Sequence, residues 1–337
     1  MIITKTPFRV SFFGGGTDLE GFFREHGGAV LSTTIDKYCY VTVRHLPRFF
    51  DYSTEITYAK TERVTDVADI KHPLVRHAMQ SLGMRDLRLV YEADLPARAG
   101  LGTSSAFAVG MLHAFHAMRG EACTPRALAD EAIYLERVLC AEAGGWQDQI
   151  AAAFGGFNRI DFTKNGYEVN PVIVSPARKQ ALNENLMLFF TGFTRFSAQV
   201  QRQNDLTAAD KVATLREMHA LVDEAERVLV DKTVPLAEFG RLLDHTWCLK
   251  RGTSRAISTD CIDALYAKAM AAGAVGGKLL GAGGGGFLLF YVEKEQQAAV
   301  RAALSDLLYV PFAFEEGGTR VIHYTPESYT PHGEVQP

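Results

Sequence analysis

The sequence has no apolar run long enough to cross a bilayer; its longest, such as "FLLFYV" at Phe287–Val292, are the size of a strand. It also has no block of lysine or arginine. Its 35 basic residues stand against 39 acidic ones, for a formal net charge of -4, so the basic footprint of a nucleic-acid binder is missing. Cysteine is scarce and unpatterned: Cys39, Cys123, Cys140, Cys248 and Cys261 are odd in number and free of CxxC spacing. That argues against a disulfide framework or a zinc ribbon and suits a reducing cytoplasm. The opening "MIITKTPFRVSFFGGGTD" lacks the apolar segment and small-residue cleavage site of a secretory signal. No GxxxxGK[ST] loop occurs, which excludes a Walker A phosphate site. There is no internal repeat or low-complexity tract. What is present is an ordinary globular balance, 47% hydrophobic and 22% charged, in 337 residues, a length expected to hold two domains.

Patterning predicts strands over Ile2–Phe13, Tyr38–Leu46 and Leu87–Leu95. Helices are expected over Ala106–Met118 and Thr124–Cys140, the second opened by Thr124 as cap and Pro125 at its first position. "FGGFNRIDF" and "GYEVNPVIV" read as turn-punctuated strands, and a strand restarts over Asn185–Arg195. The polar "SPARKQALNEN", which contains Pro176, marks an expected boundary near residue 180, dividing the chain into 1–180 and 181–337. Helices over Leu206–Leu229, Leu236–Leu249 and Asp260–Ala272 follow, then a glycine-rich stretch, one more helix and a terminal strand. This irregular order of strands and helices predicts an α+β fold rather than a regular βαβ array.

Three glycine-rich segments carry the chemistry. In "PARAGLGTSSAFAVG", Gly100 and Gly102 run into Thr103, Ser104 and Ser105 at the mouth of a helix. A helix start offers unpaired N–H groups and a partial charge of about +0.5 e. Glycines let a ligand approach, and hydroxyls can reach phosphate oxygens or a metal ion, so the segment reads as an anion cradle. An ordinary N-cap is the competing explanation; it accounts for one hydroxyl, not three. "GAGGGG" (Gly281–Gly286) matches GxGxxG but runs into a strand rather than a helix, so it is no dinucleotide fingerprint. It is either a glycine-rich hairpin turn or a wall beside phosphates, near Lys278. In "PFRVSFFGGGTDL", Arg9 stands in an apolar strand, where an unpaired guanidinium is costly, so it is expected to face a polar site. Asp18 either joins that site or caps the "LEGFFREHG" helix.

In this order, "PFRVSFFGGGTD", "PARAGLGTSSA" and "KLLGAGGGGF" resemble the three motifs of the GHMP kinase superfamily, which includes galactokinase, homoserine kinase and mevalonate kinase; the resemblance runs from about Pro7 to Phe290. It implies a ribosomal-protein-S5-like N-terminal domain and a ferredoxin-like C-terminal α/β sandwich. ATP would lie between them, its triphosphate on Pro96, Ala99, Gly100, Leu101, Gly102, Thr103, Ser104 and Ser105. Asp148, after "GGWQ", matches the catalytic aspartate that takes the acceptor's proton, with Arg9 beside it to stabilise the transferring charge. Glu136 matches the ligand of Mg2+, with Glu142 as a neighbouring carboxylate in the same segment, and Thr103 or Ser104 would add a hydroxyl oxygen.

The same resemblance places the sugar against Gly14, Gly15, Gly16, Thr17 and Asp18, with Gly283 and Gly284 opposite. Galactokinases carry Gly-Glu-His where this chain has three glycines, which implies an acceptor pocket of another shape. "FRVSFFGGGTDL", "GLGTSSAFAVG", "GGWQDQIAAAFGGFN" and "GGKLLGAGGGGF" are similar to the bacterial heptose kinases that phosphorylate D-glycero-D-manno-heptose 7-phosphate at the anomeric oxygen. Fucokinase-like domains share much of this wording, and some galactokinase-like proteins only sense sugar and ATP. Arg9, Glu136 and Asp148 together favour an enzyme. A sugar phosphate needs a cationic pocket, for which Arg195, Lys250 and Arg251 are candidates, each with a solvated surface position as its alternative. The partners expected are ATP and a sugar phosphate, with a homodimer as the assembly to test and neither nucleic acid nor membrane. The product would supply nucleotide-activated heptose for lipopolysaccharide or capsule. His113 and His116 share a helix face without a third ligand, so packing is expected of them.

Overall fold

The computed structural model describes residues 1–47, 49–97, 99–192, 209–253, 257–281 and 283–326. Ile2–Phe13 (β1) and Gly28–His45 (β2) form a long antiparallel ribbon at the centre of the first sheet. Pairing passes from Pro7–Tyr38 to Phe8–Ile35, so Asp36 and Lys37 bulge out of the ladder opposite a residue that has no N–H to give. Asp36 bonds Ala313 instead, from its N–H and to its carboxylate, both at 2.9 Å. The first half of β2 pairs Phe157–Thr163 (β6), which carries Gly166–Pro171 (β7) on its far side. The second half pairs Leu87–Ala93 (β5), beyond which lie Thr54–Thr57 (β3) and Thr61–Val64 (β4). Only the second half of β2 was expected as a strand. The first half is buried on both faces, so it shows no alternation to read.

The second sheet contains Leu186–Phe190 (β8), Gly276–Leu279 (β9), Phe287–Tyr291 (β10) and Leu308–Tyr309 (β11), all antiparallel and ordered β11-β8-β10-β9. With helices following its first and third strands, this is the ferredoxin-like β-α-β-β-α-β order. The chain then returns to the first sheet: Phe314–Glu315 (β12) pairs β2 and Arg320–Tyr324 (β13) pairs β1. The whole is α+β, as its element order required.

The first half carries helices Glu20–His26 (α1), Pro73–Ser81 (α2), Thr103–Met118 (α3), Pro125–Tyr134 (α4), Gln147–Phe154 (α5) and Pro176–Glu184 (α6). Ala209–Val230 (α7), Ala237–Thr253 (α8), Asp260–Ala271 (α9) and Gln297–Ala303 (α10) belong to the second half. Helix α3 is apolar on nearly every side and is correspondingly buried. It crosses β1 at Gly110, whose carbonyl accepts from Thr4 Oγ1 at 2.9 Å. One expectation is corrected here. Thr124 does cap α4, accepting from the Ala127 N–H at 3.2 Å, but the helix ends at Tyr134 and continues as a π-helical turn over Leu135–Leu139. "SPARKQALNEN", the segment expected to mark a boundary, forms helix α6, with Pro176 in its first turn and Leu182 buried; its polarity reflects its exposed face. The two sheets share a core, since Phe12 and Phe13 of β1 meet Phe239 of α8 edge-on at 5.3 and 5.0 Å. Among the described residues no helix is long and apolar enough to cross a membrane.

Candidate active site

A cleft of about 240 Å³ opens where β1, the Gly100–Ser105 turn, the start of α5 and the glycine-rich β9–β10 hairpin converge. Arg9 lines it. Its Nε donates to Asp148 Oδ1 at 2.7 Å and its Nη1 to the Gly100 carbonyl at 2.8 Å, so the strand arginine is paired, as burial in an apolar strand demands. Its main-chain N–H bonds the Leu101 carbonyl at 3.1 Å.

Gly102, with φ +71°, stands at the N-cap of α3, and no side chain caps that helix. The hydroxyls are therefore not spent on capping: Ser104 is exposed on the cleft, and Ser105 Oγ donates to Glu136 Oε2 at 2.8 Å. The first amides of a helix have no intrahelical partner, and the residues that carry them here, Gly102 to Ser105, line the cavity. Gly100, with φ +86°, packs its backbone against the hairpin; a Cβ there would fall 2.4 Å from the Leu280 carbonyl oxygen. The second glycine cluster is thus a hairpin turn, and Gly281, Gly283 and Gly285 in it line the cleft.

Glu136 sits on the π-helical turn, a distortion common at functional sites. It is 1% exposed and accepts from Ser105, Gln149 and Arg137. Burial raises its pKa to about 7, against the opposing charge of Arg137. Asp18 is also buried. Gly16 N–H donates to its Oδ1 at 2.9 Å and Gln147 N–H to its Oδ2 at 3.2 Å, so it does not cap α1 but receives the first amide of α5. Burial pushes its pKa up and the Asp148 charge adds to this, while the two amides oppose it.

Lys250 is half-buried as a residue, but its ammonium is deep in the cleft and donates to the Gly281 carbonyl. Desolvation pulls its pKa down to about 8; Arg9 acts the same way, and Asp18 and Asp148 act against it. Lys278 donates to the carbonyls of Ser11 at 3.0 Å and Phe12 at 2.7 Å, tying β9 to β1. Its pKa is pushed well below the ordinary lysine value, chiefly by burial.

Of the residues expected here, Arg9, Gly15, Gly16, Asp18, Gly100, Gly102, Thr103, Ser104, Ser105, Glu136, Asp148, Lys250 and Gly283 line the cleft, and so does Glu142. Others do not. Gly14 and Thr17 lie behind it, where Thr17 Oγ1 donates to the carbonyls of Gly14 and Ala29 at 2.8 and 2.9 Å and holds the turn closed. Pro96, Ala99, Leu101 and Gly284 also stay off the surface of the cleft; Leu101 and Ala99 are core, and Gly284 N–H bonds the Ile257 carbonyl. Arg251 turns away to bond Asp263 at 2.9 Å, because consecutive helical residues point about 100° apart. Arg195 lies outside the described residues. Sequence reasoning missed Ser11, Arg137, Gln147 and Lys211, and also Leu215 and Met218, whose helical spacing reads as core. Ser11 had a signal: it follows Arg9 by two residues on a strand, hence on the same face. His113 and His116 bind Thr319 and the pair Glu121 and Glu131, and no metal-ligating cluster occurs among the described residues.

Residues 70–156 match the N-terminal domain of GHMP kinases and residues 235–310 their C-terminal domain. The chain is 29% identical over 296 residues to the D-glycero-alpha-D-manno-heptose 7-phosphate kinase of Campylobacter jejuni, covering 84% of this chain and 86% of that protein. It is 26% identical over 313 residues to the bifunctional fucokinase/GDP-fucose pyrophosphorylase of Arabidopsis thaliana, of which it spans 28%. Among solved structures, that of a D-glycero-D-manno-heptose 1-phosphate kinase from Bacteroides thetaiotaomicron superimposes with a TM-score of 0.76 at 24% identity, over 96% of this chain and 99% of that one. Fold, cleft and relatives together define a phosphotransferase that acts on a hydroxyl acceptor. The chain belongs to the GHMP kinase superfamily and carries both of its domains.

Proposed function

We propose that this protein is an ATP- and Mg2+-dependent cytoplasmic kinase that phosphorylates the anomeric hydroxyl of D-glycero-D-manno-heptose 7-phosphate, giving the 1,7-bisphosphate for nucleotide-activated heptose. The observation that carries this reading is the pairing of Arg9 with both Asp148 and the Gly100 carbonyl, which joins a proton acceptor to an anion-binding turn. The Campylobacter jejuni relative supports the acceptor. The functional division of the chain falls near residue 180, with the anion-binding turn in 1–180 and the glycine-rich hairpin in 181–337.

In this reading the amides that open α3 receive the triphosphate, and Gly102 leaves room for its approach. Asp148 takes the proton of the attacking hydroxyl, and Arg9 orients that carboxylate while placing positive charge beside the moving phosphoryl group. Lys250 adds a second cation there. Asp18, fixed by two amides, orients the sugar. Magnesium neutralises phosphate charge when bound. The residues fit such an ion: Mg2+ needs only one or two carboxylates besides phosphates and water, and Glu136 is a carboxylate that burial makes reluctant to ionise without a cation, in the cleft that Ser104 and Thr103 also line.

A coupled assay of ADP release tests the proposal across heptose 7-phosphate, L-fucose, D-mannose and D-galactose. Heptose 7-phosphate is the expected acceptor, and Asp148→Ala is expected to lower kcat by about 10³-fold or more. The fucokinase relative supports a second reading, anomeric phosphorylation of free L-fucose, which the same panel separates. ATP turnover with none of these sugars would contradict both.

A further inference from the structure

Ser11, Gly15 and Gln147 form one corner of the cleft. Ser11 is 6% exposed, and its Oγ is buried with no hydrogen-bond partner. Gln147 opens α5 one residue before Asp148, and its Oε1 is likewise buried and unpartnered. Their main chains are fully engaged: the Ser11 carbonyl accepts from Lys278, and the Gln147 N–H donates to Asp18. Gly15 lies between the two side chains. A methyl group placed on it would stand 3.8 Å from Gln147 Nε2 and 3.8 Å from Ser11 Oγ, so they bracket the space that glycine leaves open.

Buried polar atoms without partners are costly and uncommon; here the unpartnered Ser11 Oγ borders the space above Gly15 and the Gln147 carboxamide presents its Nε2 to it, which points to a ligand that bonds both side chains. The space differs from the one proposed for the nucleotide: a Cβ at Gly102, where α3 begins, would meet Arg9 and Asp148, whereas one at Gly15 would meet only Ser11 and Gln147. We propose that Ser11 and Gln147 are acceptor-recognition residues, which bind neighbouring hydroxyls of a sugar through the space above Gly15. The inference rests on the reading of the cleft as that of a sugar kinase. A serine hydroxyl both donates and accepts, and a carboxamide does so from separate atoms, so the pair matches a ring or chain carbon sequence bearing adjacent hydroxyls. An acceptor with one alcohol on an apolar body would leave both groups unpaired, so the corner selects polyols over such alcohols.

Steady-state kinetics of Ser11→Ala, Gln147→Leu and Gly15→Ala test this, on whichever sugar of the panel the wild-type enzyme takes. Gly15→Ala is the most informative: the methyl meets nothing closer than 3.8 Å, so the fold tolerates it while the corner is narrowed. Each variant is expected to raise KM for the sugar by about 10-fold or more, with KM for ATP and the melting temperature unchanged. An unchanged sugar KM in all three, or equal rises in KM for sugar and ATP, would overturn the inference. A wild type active on free L-fucose but not on heptose 7-phosphate would overturn the acceptor proposed above and leave this corner open to the same test. A wild type inactive toward every sugar would overturn both.

Discussion

Arg9 holds Asp148 at 2.7 Å with one nitrogen and the Gly100 carbonyl at 2.8 Å with another. One side chain therefore sets the distance between the carboxylate and the turn that opens α3. Arg9→Met is expected to lower kcat by about 10²–10³-fold, the scale of losing a preorganised charge. Arg9→Lys should recover only part of this, because an ammonium cannot make both bonds in the same planar fork. An unaltered kcat in the methionine variant would remove Arg9 from the reaction.

Lys250 provides a pH test. Its ammonium faces Arg9, Asp18, Asp148 and Lys278, and burial brings its pKa to about 8. The cationic form prevails below that value and is lost above it. If that cation serves phosphoryl transfer, kcat/KM falls as pH rises through about 8. Lys250→Arg should remove this limb, since guanidinium stays charged. A limb in the same place in both proteins would contradict the role. Arg251→Ala, which removes the bond to Asp263 outside the cleft, should leave the kinetics as they are.

Gly100 is constrained by conformation and by space together. Its φ is +86°, and an added Cβ would sit 2.4 Å from the Leu280 carbonyl oxygen. Gly100→Ala should destabilise the protein by about 2 kcal/mol or more and separate the turn from the hairpin. A thermal-denaturation curve reads the first effect and the KM for ATP the second.

Lys278 ties the two sheets through two carbonyls of β1. Lys278→Met leaves both acceptors buried without that donor, at a cost of about 1–3 kcal/mol. A lower midpoint in urea with the same slope is expected; an unchanged midpoint would show that the tie contributes nothing.

The parts of the site that were legible in the sequence share one property: their residue type conflicts with its local surroundings. An arginine in an apolar strand and three hydroxyls after two glycines are poor choices for structure alone, so Arg9 and the start of α3 could be read directly. Asp148, Glu136 and Asp18 needed the family resemblance, because a carboxylate near a helix start is ordinary. Geometry that depends on helical phase was not legible. Lys250 and Arg251 are adjacent, and only the packing of α8 decides that the first enters the cleft and the second leaves it. The π-helical turn carrying Glu136 was invisible because apolar residues continue through it. Thr17 belongs to a motif whose neighbour Asp18 faces the cleft, yet its hydroxyl closes the turn behind.

The account turns on where a nucleotide's terminal phosphate lies relative to Asp148. A crystal structure with a non-hydrolysable ATP analogue and Mg2+ measures this directly. The prediction is a triphosphate against the amides of Gly102–Ser105, its last phosphorus facing Asp148 with Arg9 and Lys250 at its sides. A triphosphate bound away from that turn, or one whose terminal phosphate points away from Asp148, would contradict it.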